Sequence, residues 1–307
     1  MNLSILNSFC YTVGWFWCVL LSIHGHPVLA IIGVAFLILF QLYFTKINDV
    51  SLYIQGVILV IFSIPIGALL EIFFSATGLI HYANTSKILP PIWIILLYPL
   101  FALLLNHSLK IIKKNYFTSF IMGFLGAPLS YIAGNSLGAL TFSHPVKLTW
   151  VIIGISWGFF LCFLVKIERV IESATTETLE DSKSEKSLKL LYDGECPICQ
   201  REICILQRKN NQNRIKFVDI AAKDFSPLEK NNIDYNTAMT EIHAIDDKGN
   251  FLIGIQAFAT VYARCNLLVI STLLRIPFVK KILKPLYALF AKKRLWLTGR
   301  MSSHVKK

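Results

Sequence analysis

Acidic residues are nearly missing from the first 165 positions, where only Asp49 and Glu71 occur. A soluble domain keeps a charged surface, so this stretch is not one. Acidic residues are missing again from Cys265 to Lys307, where ten Lys and Arg stand and supply most of the +12 net charge. No RNA- or DNA-binding motif accompanies that basic tail, so its charge fits anionic lipid headgroups rather than nucleic acid. The amino end, Met1-Asn2-Leu3-Ser4, lacks the basic stretch of a cleaved signal peptide. A second Cys-x-x-Cys and paired histidines are missing too. A zinc site on the one pair present would be two ligands short, and no metal is expected.

What is present divides into two solvents. Hydrophobic residues make up 55% of the 307, with a mean hydropathy of +0.58, and they concentrate before residue 166. Apolar stretches recur near 5–23, 28–45, 52–70, 88–105, 117–140 and 148–165. Each approaches the ~20 residues that cross a bilayer core, so five or six spans are expected. With six spans and the amino end inside, the inner loops hold Lys46, Lys110, Lys113, Lys114, Lys166 and Arg169, against Lys87 and Lys147 outside. That bias places the chain in the cell (inner) membrane with its carboxyl-terminal domain in the cytoplasm. Within the spans Glu71 is the one acidic residue, either an intramembrane functional group or an interfacial residue of a span ending near Leu70. Gly123, Gly126, Gly134 and Gly138 read as close-packing positions in the fifth stretch.

The expected domains are 1–166, multi-pass and transmembrane; 167–187, a polar linker; 188–265, an α/β domain; and 266–307, a basic amphipathic helical tail. In the third, Lys189–Tyr192 reads as a strand ended by Asp193-Gly194, and a helix opens at Pro197 and runs to about Lys209. A strand at 215–220 follows, then loop and short helical material from Ala221 to Ala238. Strands at 241–245 and 251–253 flank the turn Asp246-Asp247-Lys248-Gly249-Asn250, and a helix covers 255–264. Strand–helix–strand, then a hairpin and a helix, is the order of a thioredoxin-like fold. In the tail, Val279, Ile282, Leu283, Leu286, Leu289 and Phe290 oppose Lys280, Lys281 and Lys284, the pattern of a membrane-surface helix or of one whose apolar face packs on the domain.

Cys196 and Cys199 stand one helical turn apart at the first strand-to-helix junction, the spacing of a dithiol that opens and closes a disulfide. The helix N-terminus favours a thiolate at Cys196, and the like charge of Glu195 opposes it, so a reducing couple is expected. In exchange, Cys196 would attack a substrate disulfide and Cys199 would resolve it. Asp193 either takes the Cys199 proton or makes the turn that ends the strand. Cys204, on the same helix, reads as a small buried hydrophobe, as do Cys10, Cys18, Cys162 and Cys265.

Asp193, Cys196 and Cys199, with Phe217-Val218-Asp219-Ile220, Ile242-His243-Ala244, Gly254, Ala257-Phe258 and the closing Leu295–Arg300, resemble the DCC family of thiol-disulfide oxidoreductases. The resemblance implies thiol-disulfide redox chemistry without naming a substrate; the expected activity is protein-disulfide reduction on a disulfide-containing protein or a small thiol, with no cofactor beyond the Cys196–Cys199 disulfide. It departs from thioredoxin-like oxidoreductases at Thr240-Glu241, where the substrate-facing proline of that fold is not found. The membrane half is similar to an uncharacterised bacterial multi-pass family, which implies no activity. The expected function is a membrane-anchored thiol-disulfide oxidoreductase. The other reading is a transport or structural membrane protein with a redox-sensing module.

Overall fold

The structure, a computed structural model, describes residues 3–83, 89–109, 112–210, 212–222, 225, 239 and 241–297. The helical material expected between Ala221 and Ala238 falls almost wholly outside these residues, as do Lys87, Lys110 and Thr298-Gly299-Arg300. The chain forms two compact units, Met1–Arg169 and Val170–Lys307.

The first unit contains α1 (Leu3–Ile23), α2 (Pro27–Asn48), α3 (Val50–Ala76), β1 (Ile80–Tyr82), α4 (Ile92–Ala102), α5 (Tyr116–Ser136), β2 (Leu140–Phe142) and the start of α6 (Val146–Lys183). Among the described residues five helices, α1, α2, α3, α5 and α6, are long and apolar enough to cross a membrane. A helix satisfies its own backbone polar groups, which a bilayer demands. Phe36, Leu39, Leu69 and Phe117 turn outward, exposed, as an apolar solvent permits. This unit is a multi-pass membrane domain. Asp49 alone joins α2 to α3: its N–H closes α2 on the Thr45 carbonyl at 2.7 Å, and its carboxylate accepts from Leu52 N–H at 3.0 Å to open α3.

The fourth apolar stretch differs from the expected full-length span. Its helix has 11 residues, about 16 Å, and Pro99 stands inside it without an N–H to donate. Tight turns follow, in which Leu104 N–H bonds Phe101 O and Leu105 N–H bonds Ala102 O. The segment nonetheless runs antiparallel along α1. The Cys18 thiol meets the Trp93 carbonyl at 3.8 Å, and the Ser4 hydroxyl donates to the His107 carbonyl at 3.0 Å. Those anchors lie about 14 positions apart on α1, about 21 Å of rise, so this broken segment traverses most of the unit. At the end where α1 begins, Lys113 pairs with the buried Glu168 at 2.5 Å, and Arg169 donates to the Lys113 carbonyl at 2.6 Å.

Close helix approach is visible at Gly123, where an added Cβ would lie 2.5 Å from the Trp157 carbonyl oxygen on α6. Gly126 and Gly134 instead border a cavity. Glu71 is wholly buried, because α3 continues to Ala76 rather than ending near Leu70. The helix thus runs five residues past Glu71.

In the second unit, β3 (Leu188–Tyr192), α7 (Pro197–Lys209), β4 (Ile215–Asp219), β5 (His243–Ile245), β6 (Phe251–Ile253), α8 (Ile255–Arg264), α9 (Leu268–Arg275) and α10 (Pro277–Leu297) follow the carboxyl-terminal part of α6. The sheet order is β4-β3-β5-β6, with β3 and β4 parallel and the other pairs antiparallel. This is the thioredoxin-like arrangement. Leu188 and Leu190 on one sheet face pack with Ile203 and Leu206 of α7 and Ala257 and Val261 of α8. Leu191 points the other way, into a smaller cluster with Ile220 and Ile245, as strand alternation requires.

Two expected boundaries move. The linker, open to helix at its start, is helical through Lys183: Thr178 approaches the Ser271 hydroxyl at 3.3 Å within the unit, and Asp181 pairs with Arg275. The polar composition that suggested a linker serves buried hydroxyl contacts instead. The tail from 266 onward is also not separate. Ser271 donates to the Ala259 carbonyl at 2.7 Å, and the Tyr287 hydroxyl of α10 accepts the Ile242 N–H at 2.8 Å. Ile282, Leu286 and Leu289 remain exposed on α10.

Candidate redox site

β3 delivers the chain to Asp193-Gly194, and the turn there points the next residues into the N-terminus of α7. Cys196 is the N-cap residue and Pro197 the first helical one, where a missing N–H costs nothing. The Cys196 sulfur therefore faces the amides of the first turn and accepts the Cys199 N–H at 3.5 Å. No disulfide joins Cys196 to Cys199 in this structure. Cys196 is wholly buried, whereas Cys199 is partly exposed. The first sulfur is closed to solvent.

Asp193 is buried. Its carboxylate accepts the Glu195 N–H at 3.1 Å, and its carbonyl accepts the Cys196 N–H at 3.2 Å. It thus makes the turn that the sequence offered as one of two roles. It also lines a cavity of about 310 Å³ together with Cys199.

Asp219 is the residue that sequence reasoning left without a role. It ends β4 directly beside Tyr192, the last residue of β3. Its Oδ1 accepts the N–H of Gly194 at 2.8 Å and of Ala221 at 2.9 Å. A Cβ at position 194 would lie 1.8 Å from Asp219 Oδ2, so glycine is required for this approach. The Gln200 side chain donates to the Gly194 carbonyl from the first turns of α7. The turn before the dithiol is held from both sides.

The cavity beside Cys199 has an aromatic wall of Phe258, Tyr262, Tyr287 and Phe290. These residues come from α8 and α10, and no signal local to either helix marks them. The Tyr262 hydroxyl donates to Glu202 Oε1 at 2.7 Å; burial, then this bond, holds its phenol well above the ordinary range. Cys265 is buried against the Leu206 carbonyl, and burial pushes its thiol up to about 11. Cys204 is exposed, which corrects the expectation of a buried hydrophobe: it falls on the outer face of α7, away from Ile203. Among the described residues no three His, Cys, Asp or Glu side chains gather as a metal site.

A family model described as a DCC1-like thiol-disulfide oxidoreductase matches residues 190–300, which span the dithiol, Asp219 and the aromatic wall. An uncharacterized chloroplastic protein of Arabidopsis thaliana is 40% identical over 116 residues, 38% of this chain and 54% of that protein. The chain thus spans about half the length of this curated relative. No solved structure matches the chain significantly. A second family model, described as a protein of unknown function (DUF2878), matches residues 4–163, more than half of the chain. The chain belongs to this DUF2878 family and joins its membrane domain to a DCC1-like thiol-disulfide oxidoreductase domain.

Proposed function

We propose that the protein is a membrane-anchored thiol-disulfide oxidoreductase in which Cys199 receives the substrate and Cys196 resolves it. One observation carries the assignment of roles: Cys196 is wholly buried, and Cys199 borders the cavity. The Cys199 thiolate attacks one sulfur of a substrate disulfide, whose S–S bond breaks as the other sulfur leaves and takes a proton. Cys196 then attacks the Cys199 sulfur. The Cys196–Cys199 disulfide forms and the substrate leaves reduced by two electrons. A dithiol or small-thiol reductant returns the pair to its starting state. Asp193 fixes the turn carrying Cys196, and its carboxylate, in the same cavity as Cys199, is the acceptor for the Cys199 proton. This order is the reverse of the one the motif alone suggests.

Trapping tests it. The full chain carrying Cys196→Ser should accumulate a mixed disulfide with substrate on Cys199, and Cys199→Ser should accumulate none. A trap in Cys199→Ser alone restores the opposite order. Full turnover in both variants ends the dithiol reading.

The cation bias supports a cytoplasmic face for the end of the membrane domain that carries Lys113, Lys114 and Arg169. Protease should reach the carboxyl-terminal unit in inverted inner-membrane vesicles and not in right-side-out ones. The exposed Ile282, Leu286 and Leu289 on α10, with Lys280, Lys281 and Lys284, suit anionic headgroups. Replacing the three apolar residues with Ser should weaken attachment of the detergent-solubilised protein to anionic vesicles and leave its turnover intact.

A further inference from the structure

We propose that the membrane domain binds an organic cation, an aromatic or alkyl ammonium, with Glu71 as its counter-charge. The site is a cavity of about 270 Å³ bordered by α1, α3, α4, α5 and α6, near the lower end of the roughly 300–1,000 Å³ typical of small-molecule sites. The proposal is independent of the dithiol and concerns a different unit.

Glu71 projects from an apolar helix and is wholly buried. Three phenols converge on it from three elements. Tyr98 of α4 donates to Oε1 at 2.7 Å, Tyr131 of α5 donates to the same oxygen, and Tyr82 of β1 donates to Oε2. Three donors around one carboxyl group suit an ionised carboxylate, which only accepts. Hydrogen bonds offset its desolvation but leave its charge. None of the residues bordering the cavity is Lys, Arg or His. Among the described residues the cavity thus offers a carboxyl group and no cationic side chain, and a bound cation would hold that carboxyl ionised.

Its walls match the missing charge. Trp15, Trp93, Tyr98, Tyr131 and Trp157 border it, and aromatic faces attract ammonium groups, most strongly when water is excluded. The rings are fixed in place. The Trp15 N–H donates to Ser130 at 3.0 Å, the Trp157 N–H reaches the Tyr131 hydroxyl at 3.4 Å, and Trp157 stacks on Tyr98 at 5.1 Å. Other ligand classes fit worse. An anion would meet Glu71. A neutral compound would leave the Glu71 carboxyl group with no charge partner in the cavity. An aromatic cage with one buried carboxylate selects a cation whose apolar body fills the space.

The test uses the full chain in nanodiscs, radiolabelled phenyltrimethylammonium as probe, and tert-butylbenzene as its uncharged counterpart of the same shape. Saturable binding of one probe per chain is expected. Tert-butylbenzene and benzenesulfonate should fail to displace it. Glu71→Gln, which keeps the side-chain shape, should weaken binding at least tenfold, and Trp157→Leu several-fold. Absence of saturable binding to the unaltered protein overturns the proposal, as does equal displacement by tert-butylbenzene or unchanged affinity in a folded Glu71→Gln protein. Should Glu71→Gln fail to fold, the competition in the unaltered chain decides alone.

Discussion

Replacing Gly194 with Ala tests whether the clamp from Asp219 keeps the Cys196 sulfur covered. The new Cβ would lie 1.8 Å from Asp219 Oδ2 and 2.3 Å from its Cγ, so the carboxylate must move away. It then loses the Gly194 N–H at 2.8 Å and strains the one from Ala221 at 2.9 Å. A hydrogen bond to a charged group contributes about 1.5–3 kcal/mol. Taking about 2 kcal/mol, local opening of the turn becomes roughly 30-fold more frequent. Cys196, closed to solvent in the native turn, should then alkylate with iodoacetamide about 30-fold faster, by the same relation. Cys265, far from the turn in sequence and in a different cluster, should keep its rate. Asp219→Ala alone should also speed the reaction. In the double variant the obstacle is gone, so adding Gly194→Ala to Asp219→Ala should cost little, and the two effects should fall short of additivity by about 1–2 kcal/mol. Fully additive effects, or a Gly194→Ala protein whose Cys196 reacts at the native rate, would refute the reasoning.

Further outcomes follow from the same geometry. At neutral pH, alkylation of the reduced full chain should label Cys204 and Cys199 first and leave Cys196 and Cys265 protected, as mass spectrometry would show. Cys265 labelling should rise only as pH approaches about 11; burial raises the folded-state value, so the neutral thiol persists above the unfolded value and is lost through the folded one. Tyr287→Phe removes the acceptor of the Ile242 N–H. That should destabilise the seating of α10 by about 1–3 kcal/mol, seen as faster hydrogen exchange in residues 277–293. Leu190→Ala, at the centre of the sheet core, should cost about 2–5 kcal/mol by thermal unfolding of the carboxyl-terminal unit. A loss under about 1 kcal/mol there would show that the core collapses around the gap.

How much the sequence disclosed depended on how local the determining contacts are. β3, α7, β6 and α8 were legible to within a residue, because alternation, Pro197 and the Asp246–Asn250 turn are local signals. Gly249 has φ +84°, and the Asp246 carboxylate accepts the N–H of Lys248 at 2.9 Å and of Asn250 at 2.7 Å, the turn chemistry those residue types announce. The dithiol and its N-cap position were equally plain. What escaped was long-range. Asp219 lies 25 positions from Gly194, and only the parallel pairing of β3 with β4 brings them together. Tyr287 reads as one apolar position of an amphipathic helix until Ile242 is placed against it. The length of α4 was misjudged because hydropathy counts apolar residues and overlooks what bounds them, Pro90-Pro91 before Ile92 and the turns after Ala102. Residues 170–183 looked like solvated chain because hydroxyl and carboxylate groups score as polar whether they meet water or Ser271 and Arg275.

The one-residue joint at Asp49 has a geometric consequence for the membrane domain. Because the first helical residue of α3 follows Asp49 immediately, the angular setting of that whole helix is inherited from α2 with no slack. A single residue inserted into α3 between this joint and Glu71 would turn the carboxylate by about 100° about the helix axis. The carboxylate at 71 would then swing out of reach of its three phenols toward a neighbouring helix or the lipid. Register along this helix is constrained as tightly as chemistry is at its buried carboxylate.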